Sequence, residues 1–179
     1  MFIMEKALLL QMIDRCMQNE ACSLVRDGII NQTDQLKIVG FPHQGYAASI
    51  HSIESYYRQS MALLNPDIWQ GLFYQSRIIY TKSKNDPPAK YLAYANVKDS
   101  LIANGCRIEG KVENSILFRG VSVGKRAYIK NSVIMQKSEI EENALIEHAV
   151  LDKKTVVTSG KTVKGEKEKP FVLSKRMRI

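Results

Sequence analysis

The second half of the chain repeats one pattern of apolar and polar residues. Four six-residue segments align without gaps: a β-branched residue, a charged residue, an Asp, Asn or His, a Ser or Ala, and an apolar pair. They begin at Val97, Val112, Ile129 and Ile146, at spacings of 15, 17 and 17 residues. Three short strands with tight corners need roughly this length for one coil. The pattern predicts a mainly β fold, a parallel β-helix whose interior contains these four side chains.

A second apolar series supports the same fold. Aliphatic residues six apart alternate with small or turn-forming residues, in the pairs Val123 and Ile129, Ile140 and Ile146, and Val157 and Val163. An amphipathic helix would instead place apolar residues at i, i+3, i+4 and i+7. A β-sandwich would show longer alternating strands with turn signals every 8–12 residues or so. Neither pattern is present, and the repeat favours a solenoid.

The first half has a mixed pattern that predicts a small α/β segment. Residues 5–17 have the apolar spacing of an amphipathic helix. Ser52 is placed to cap a second helix that ends near residue 64, before Asn65-Pro66. Residues 37–41 and 46–50 are β-rich and predict two short strands. The Asn85-Asp-Pro-Pro stretch predicts a stiff linker, so we expect one segment over 1–85 and a β-helix domain over 86–179.

Composition and charge narrow the possible functions. The net charge is +8, and residues 161–179 contain seven Lys or Arg against two Glu. Such a tail is either a solvated end or a site for a phosphorylated effector. The candidate effector residues are Lys161, Lys164, Lys167, Arg176 and Arg178.

Three cysteines without a Cys-x-x-Cys pair predict reduced thiols, no structural metal and no disulfide framework. No apolar run reaches the roughly 20 residues of a membrane span, and the N-terminus lacks the features of a signal peptide. We expect a cytoplasmic protein with no cofactor and no membrane partner.

Several segments resemble, in their order and amino-acid sequence, segments of ADP-glucose pyrophosphorylases, the glucose-1-phosphate adenylyltransferases of glycogen and starch synthesis. The segments are Gly45-Tyr46, Ser55-Tyr-Tyr57, Met61-Ala-Leu-Leu-Asn-Pro66, Ile79-Tyr-Thr81 with Pro87-Pro88, Ser100-Leu-Ile-Ala-Asn-Gly-Cys106, Val112-Glu-Asn-Ser-Ile-Leu-Phe-Arg-Gly-Val121 and Lys130-Asn-Ser-Val-Ile-Met-Gln-Lys137. The resemblance implies a left-handed β-helix that follows a nucleotidyltransferase-like domain. Residues 1–85 would then be the edge of that domain, with residues 1–4 as its last strand.

Two departures from the catalytic members of this family imply a subunit without catalytic residues. The sequence contains no Gly-Gly-x-Gly-x-Arg-Leu nucleotide loop, whose glycines let backbone N–H groups approach phosphates. Aligned on Gly45-Tyr46, Ser49 stands where the family's metal-binding Asp would be. The resemblance therefore implies a non-catalytic, GlgD-type regulatory subunit that pairs with a catalytic subunit. It also implies self-association through the β-helix and a phosphorylated sugar effector.

Two other functional classes are compatible with parts of the sequence. Many hexapeptide β-helices are acyltransferases with a catalytic His, and the candidates here are His43, His51 and His148. His148 takes the corner slot that Asp99, Asn114 and Asn131 take in the other repeats, which favours a structural role. Nucleic-acid binding would need basic residues interleaved with aromatics. Here the aromatics lie mainly before residue 95 and the basic excess after 160, so we predict no nucleic-acid partner.

Overall fold

The computed structural model describes residues 2–18, 23–74, 79–82 and 84–179. Contacts divide the chain into two compact units, Met1–Gln44 and Gly45–Ile179. No helix within the described ranges is long and apolar enough to cross a membrane.

The first unit is helical where it has regular structure. Helix α1 covers Lys6–Gln18, close to the predicted 5–17, and buries Met12. A π-helical turn follows at Leu24–Ile29, and a 3-10 turn at Ile30–Gln32. Ser23 caps the π-helical turn, since its hydroxyl accepts a hydrogen bond from the Arg26 backbone N–H at 3.2 Å.

The strands predicted before the β-helix are wrong. Residues 37–41 and 46–50 have irregular backbone, as do residues 2–4. Their composition suits strands, but a strand needs a neighbour to pair its backbone groups. All ladder partners in the described residues lie within the β-helix itself. The described residues before the β-helix therefore form helices and irregular chain, and the predicted α/β segment is corrected for them.

Two helices of the second unit precede the β-helix. Helix α2 covers Ile53–Ala62, and the predicted cap is confirmed: the Ser52 hydroxyl accepts from the Ser55 N–H at 3.1 Å. In return, the Ser55 hydroxyl accepts from the Ser52 N–H at 2.9 Å. Helix α3 covers Pro66–Phe73, with Asn65 as its cap. The Asn65-Pro66 pair, which sequence analysis took as a stop signal, also starts a new helix, because proline suits a first helical position.

The β-helix consists of three parallel five-stranded sheets. The first sheet contains β1 (Lys90–Tyr91), β4 (Arg107–Ile108), β7 (Ser122–Val123), β10 (Glu139–Ile140) and β13 (Val156–Val157). The second contains β2 (Asn96–Lys98), β5 (Lys111–Glu113), β8 (Tyr128–Lys130), β11 (Leu145–Glu147) and β14 (Thr162–Lys164). The third contains β3 (Leu101–Ile102), β6 (Ile116–Leu117), β9 (Val133–Ile134), β12 (Ala149–Leu151) and β15 (Phe171–Leu173). The predicted hexapeptide β-helix is confirmed. The left-handed turn implied by the resemblance stays a prediction.

The predicted interior column is confirmed by the pairing register of the second sheet. Val97 pairs with Val112, Val112 with Ile129, and Ile129 with Ile146. Val112, Ile129 and Ile146 are fully buried, and Val97, in the first coil, is partly buried against the same core. The other two sheets contribute equivalent columns to the same three-sided interior, Ile108, Val123, Ile140 and Val157 from the first sheet and Leu117, Ile134, Leu151 and Leu173 from the third.

A ladder of serines explains the fourth position of the repeat. The hydroxyls of Ser115 and Ser132 each donate to the carbonyl two residues before them, at 2.7 Å. Each also accepts a backbone N–H from the next coil at 3.1 Å, from Ser132 and Ala149 respectively. Both serines are fully buried, so a small hydroxyl there satisfies backbone groups that water cannot reach.

The charged second position of the repeat forms a column on the outside of the second sheet. In pairing register it contains Lys98, Glu113, Lys130, Glu147 and Lys164, which alternate in sign. Neighbouring strands lie about 4.8 Å apart, and the Lys164 ammonium lies 3.0 Å from Glu147. A hydrogen bond from Lys164 lowers the pKa of Glu147. Opposite charges on adjacent coils therefore support the observed register.

The chain divides between Gln44 and Gly45 because α2 packs against the third sheet. Tyr57 joins Val133 and Val150 in a small buried cluster outside the three-sided interior. Helix α2 therefore belongs with the β-helix that follows it. The expected domain limit between residues 85 and 86 stays a prediction about the whole protein.

Gly110 lies where two coils approach each other closely. A Cβ added there would lie 2.3 Å from the Ala127 carbonyl oxygen and 2.7 Å from that of Gly124. Neither backbone oxygen can move without disturbing its own hydrogen bonds. We expect Gly110→Ala to lower the free energy of unfolding by about 1–3 kcal/mol, measured by urea unfolding followed by circular dichroism.

Gly71→Ala is the matched control, because a Cβ there meets nothing within 4 Å. Inside helix α3 this change should be neutral or stabilising by about 0.5–1 kcal/mol. Equal effects of the two substitutions would contradict the close approach at Gly110.

Candidate functional site

A groove lies between α2 and the corner that joins the second sheet to the third. Its volume is about 760 Å³. One face of α2, with residues spaced i, i+3, i+4 and i+7, forms one wall; the corner residues form the other, and the segment between β14 and β15 contributes the rest. The lining residues are Glu54, Tyr57, Arg58 and Met61 from α2, Asn114, Asn131 and His148 from the corner, and Lys167 and Glu168.

The corner residues share an unusual backbone conformation. Asp99, Asn114, Asn131 and His148 have φ values of 47°, 43°, 47° and 48°. This left-handed region is uncommon for residues other than glycine, but Asn, Asp and His adopt it more readily than most. The left-handed conformation therefore favours these residue types at the third position of each repeat, and the pairing register places them one above another along one edge of the β-helix.

A directed chain of hydrogen bonds runs along this edge and reaches α2. The Tyr57 hydroxyl donates to the Asn131 carbonyl at 2.6 Å, so it accepts from His148 Nδ1 at 3.1 Å. His148 Nε2 then accepts from the Asn131 side-chain amide at 3.2 Å. The Asn131 side-chain oxygen accepts from the Asn114 amide at 2.7 Å. This network assigns the neutral Nδ1–H tautomer to His148.

Apolar packing positions α2 for these bonds. Val133 and Val150 point outward from the third sheet, yet they are 0% and 4% exposed because Tyr57 covers them. Partly buried residues complete the cluster, namely Tyr56, Met61, Phe118 and Met135. Burial raises the pKa of Tyr57 to about 12, so the hydroxyl keeps its proton for the Asn131 carbonyl at physiological pH. The helix is thus held by an apolar contact and oriented by a polar one.

The charges around the groove are balanced. Arg58 and Lys167 are basic, while Glu54 and Glu168 are acidic. Hydrogen bonds from its own backbone N–H and from Ser52 lower the pKa of Glu54, which keeps this carboxylate ionised. Lys169 adds a favourable charge interaction with Glu54. The groove therefore offers donors and acceptors of both signs without a dominant field.

The structure places most of the predicted site residues outside this groove. Ser49 lies exposed in the irregular chain before α2. Lys164 lies 3.0 Å from Glu147, and Arg178 lies 3.1 Å from Glu141. Lys161 lies just before β14, and Arg176 lies in the turn after β15 with φ 62°. Lys167 is the one candidate effector residue among these that lines the groove.

The three histidines have separate environments. His148 is a corner residue, as its repeat position predicted, and its ring nitrogens both lie within bonding distance of neighbours. His43 and His51 are exposed. In the described ranges, no group of three or more His, Cys, Asp or Glu residues is placed to hold a metal ion.

Sequence analysis missed the contribution of α2 to the groove. The predicted helix that begins after Ser52 contains Tyr57, but nothing in its spacing indicates a contact with His148, which is 91 residues away. A polar hydroxyl on an otherwise apolar face was the available signal. The sequence contained no signal that Arg58 and Glu54 line a groove, because charged residues on a short helix are most often solvated.

Comparisons with known proteins agree with the architecture and identify relatives. A family model described as GlmU-like, C-terminal hexapeptide matches residues 87–173, which include the corner edge of the groove. The glycogen biosynthesis protein GlgD of Bacillus subtilis is 44% identical over 151 residues, which is 84% of this chain and 44% of that protein. The chain belongs to the same family as GlgD.

Further relatives fit the same assignment. GlgD of Geobacillus stearothermophilus is 53% identical over 116 residues, which is 65% of this chain and 34% of that protein. A glucose-1-phosphate adenylyltransferase of Clostridium botulinum is 42% identical over 98 residues, which is 54% of this chain and 25% of that protein. The chain spans less than half the length of these relatives. Their names do not favour the acyltransferase alternative.

Tyr57→Phe tests the bond between α2 and the corner. The change leaves the His148 Nδ1–H without its acceptor and removes the donor to the Asn131 carbonyl, so we expect a loss of about 1–3 kcal/mol in the free energy of unfolding. Urea unfolding followed by circular dichroism measures it. Tyr56→Phe is the control, because the Tyr56 hydroxyl bonds to Ser60 within α2. A Tyr57→Phe effect no larger than the Tyr56→Phe effect would contradict the network.

Proposed function

We propose that this chain is the β-helix part of a regulatory subunit of glucose-1-phosphate adenylyltransferase in glycogen biosynthesis. The enzyme would form ADP-glucose and pyrophosphate from ATP and glucose 1-phosphate. The observation that carries the proposal is the identity taken together with its extent: Bacillus subtilis GlgD is 44% identical over 84% of the chain, whereas the adenylyltransferase of Bacillus cytotoxicus is 33% identical over 73% of it. A cytoplasmic location follows from this role.

The subunit is non-catalytic in this proposal because of residue 49. The family resemblance puts a metal-binding Asp at this position, and the chain has Ser49. A neutral hydroxyl is a poor Mg²⁺ ligand compared with a carboxylate. Ser49 is also exposed in irregular chain. The chain would therefore contribute binding and regulation, and its partner the chemistry.

The β-helix supplies surfaces for a catalytic partner and for self-association. The outer column of the third sheet is covered by α2 in its middle but not at its ends. In that column Leu101 is 39% exposed at one end and Val172 is 41% exposed at the other, and Phe171 beside Val172 is also 41% exposed. Apolar strand residues left uncovered in this way favour contacts between subunits.

Co-purification with a catalytic adenylyltransferase tests the role. Tagged chain, co-expressed with the untagged enzyme, should retain it on an affinity column and change its rate of ADP-glucose formation. The chain alone should form no ADP-glucose, and Ser49→Ala should leave the rate of the complex unchanged. Failure to retain the enzyme, or ADP-glucose formation by the chain alone, would refute the proposal.

We also propose that the five basic residues of the C-terminal segment attract a phosphorylated sugar effector. Their placement on different parts of the last coil suits a diffuse positive field rather than one pocket. Changing Lys161, Lys164, Lys167, Arg176 and Arg178 together to Gln should weaken binding of a sugar bisphosphate to the complex at least tenfold, measured by calorimetry.

A matched control removes the same charge elsewhere in the β-helix. The control residues are Lys90, Lys98, Arg107, Arg126 and Lys130, each changed to Gln. If the two five-residue variants weaken binding equally, net charge is responsible and the C-terminal residues have no special role. Unchanged affinity in the first variant would also overturn this assignment.

A further inference from the structure

The groove has the dimensions of a small-molecule site. Its volume of about 760 Å³ falls within the roughly 300–1,000 Å³ of typical ligand pockets. It is formed by three separate parts of the chain: α2, the corner edge and the segment between β14 and β15. Neither the relatives' names nor the matched family model assigns a ligand to it.

The charge balance of the lining selects against ions. A phosphate that approached Arg58 or Lys167 would also meet the carboxylates of Glu54 and Glu168. A cation that approached Glu54 or Glu168 would likewise meet the positive charges of Arg58 and Lys167. A hydroxyl group can donate to a carboxylate and accept from a guanidinium or ammonium. All four charged side chains are therefore usable by a ligand that has many hydroxyls and no charge.

The corner edge supplies polar groups that are already oriented. The Asn114 amide uses one N–H on Asn131, and Asn131 in turn uses one N–H on His148. Each amide retains a second N–H, and Asn114 retains its oxygen lone pairs for a ligand. Because the hydrogen-bonded chain fixes these side chains beforehand, ordering them on binding costs little. Met61 adds apolar surface for the C–H face of a ring.

We propose that this groove binds an uncharged polyhydroxylated ligand, specifically a short glucan. The choice of a glucan among neutral polyols rests on the proposed role in glycogen biosynthesis. The choice of a neutral polyol rests on the groove alone. The carboxylates of Glu54 and Glu168 and the guanidinium of Arg58 bind the sugar hydroxyls. The side-chain amides of Asn114 and Asn131 position the row of sugar rings.

Calorimetric titration of the purified chain with maltotriose tests the proposal. Separate titrations use glucose 1-phosphate and inorganic phosphate. We expect maltotriose to bind, and Glu54→Gln and Arg58→Gln each to weaken that binding at least fivefold. Both side chains are exposed, so neither change should disturb folding, which near-ultraviolet circular dichroism checks.

Two matched controls remove the same charges away from the groove. Glu139→Gln and Arg107→Gln change exposed residues on the first sheet and should alter affinity less than twofold. The proposal is overturned if maltotriose does not bind, if only the phosphorylated probes bind, or if the groove variants and the controls behave alike. Because the titration needs no catalytic partner, its outcome is independent of the co-purification experiment.

Discussion

Backbone pairing between successive coils is the constraint on which the rest of the structure depends. Each strand has only two or three residues, too few to be stable alone, and it pairs in parallel with the equivalent strand of the coils above and below. The fixed register puts equivalent positions of the repeat directly over one another. Interior aliphatics, buried serines and outer charges all become columns for this reason.

The same register creates the candidate site. The first four corners between the second and third sheets each have a left-handed residue, so the sequence places Asp, Asn, Asn and His one above another. Tyr57 then meets the upper part of this column, bonding to the Asn131 carbonyl and the His148 ring. The corner residues, which turn the chain from one strand to the next, thus also form the polar wall of the groove. The apolar outer column of the third sheet brings α2 close enough to provide the other wall.

Sequence patterns predicted those parts of the fold that depend on local or periodic order. The spacing of Val97, Val112, Ile129 and Ile146 gave the interior column, and Ser52 gave the start of α2. The strands expected at residues 37–41 and 46–50 failed, since pairing depends on a neighbour that composition does not reveal. The groove was out of reach for a related reason: the meeting of Tyr57 with His148 depends on how a helix packs against a sheet. The family resemblance supplied the identity of the relatives, which spacing alone could not.

The alternating charges on the second sheet limit how such a solenoid can change its length. Lys98, Glu113, Lys130, Glu147 and Lys164 follow one another on successive coils. Excising the single coil around Lys130 would put the carboxylates of Glu113 and Glu147 side by side. Excising two consecutive coils would leave each remaining charge beside one of opposite sign. This face therefore favours the gain or loss of coils in even numbers. The backbone geometry of the solenoid would permit coils to be added or lost singly, but the alternating charges favour pairs.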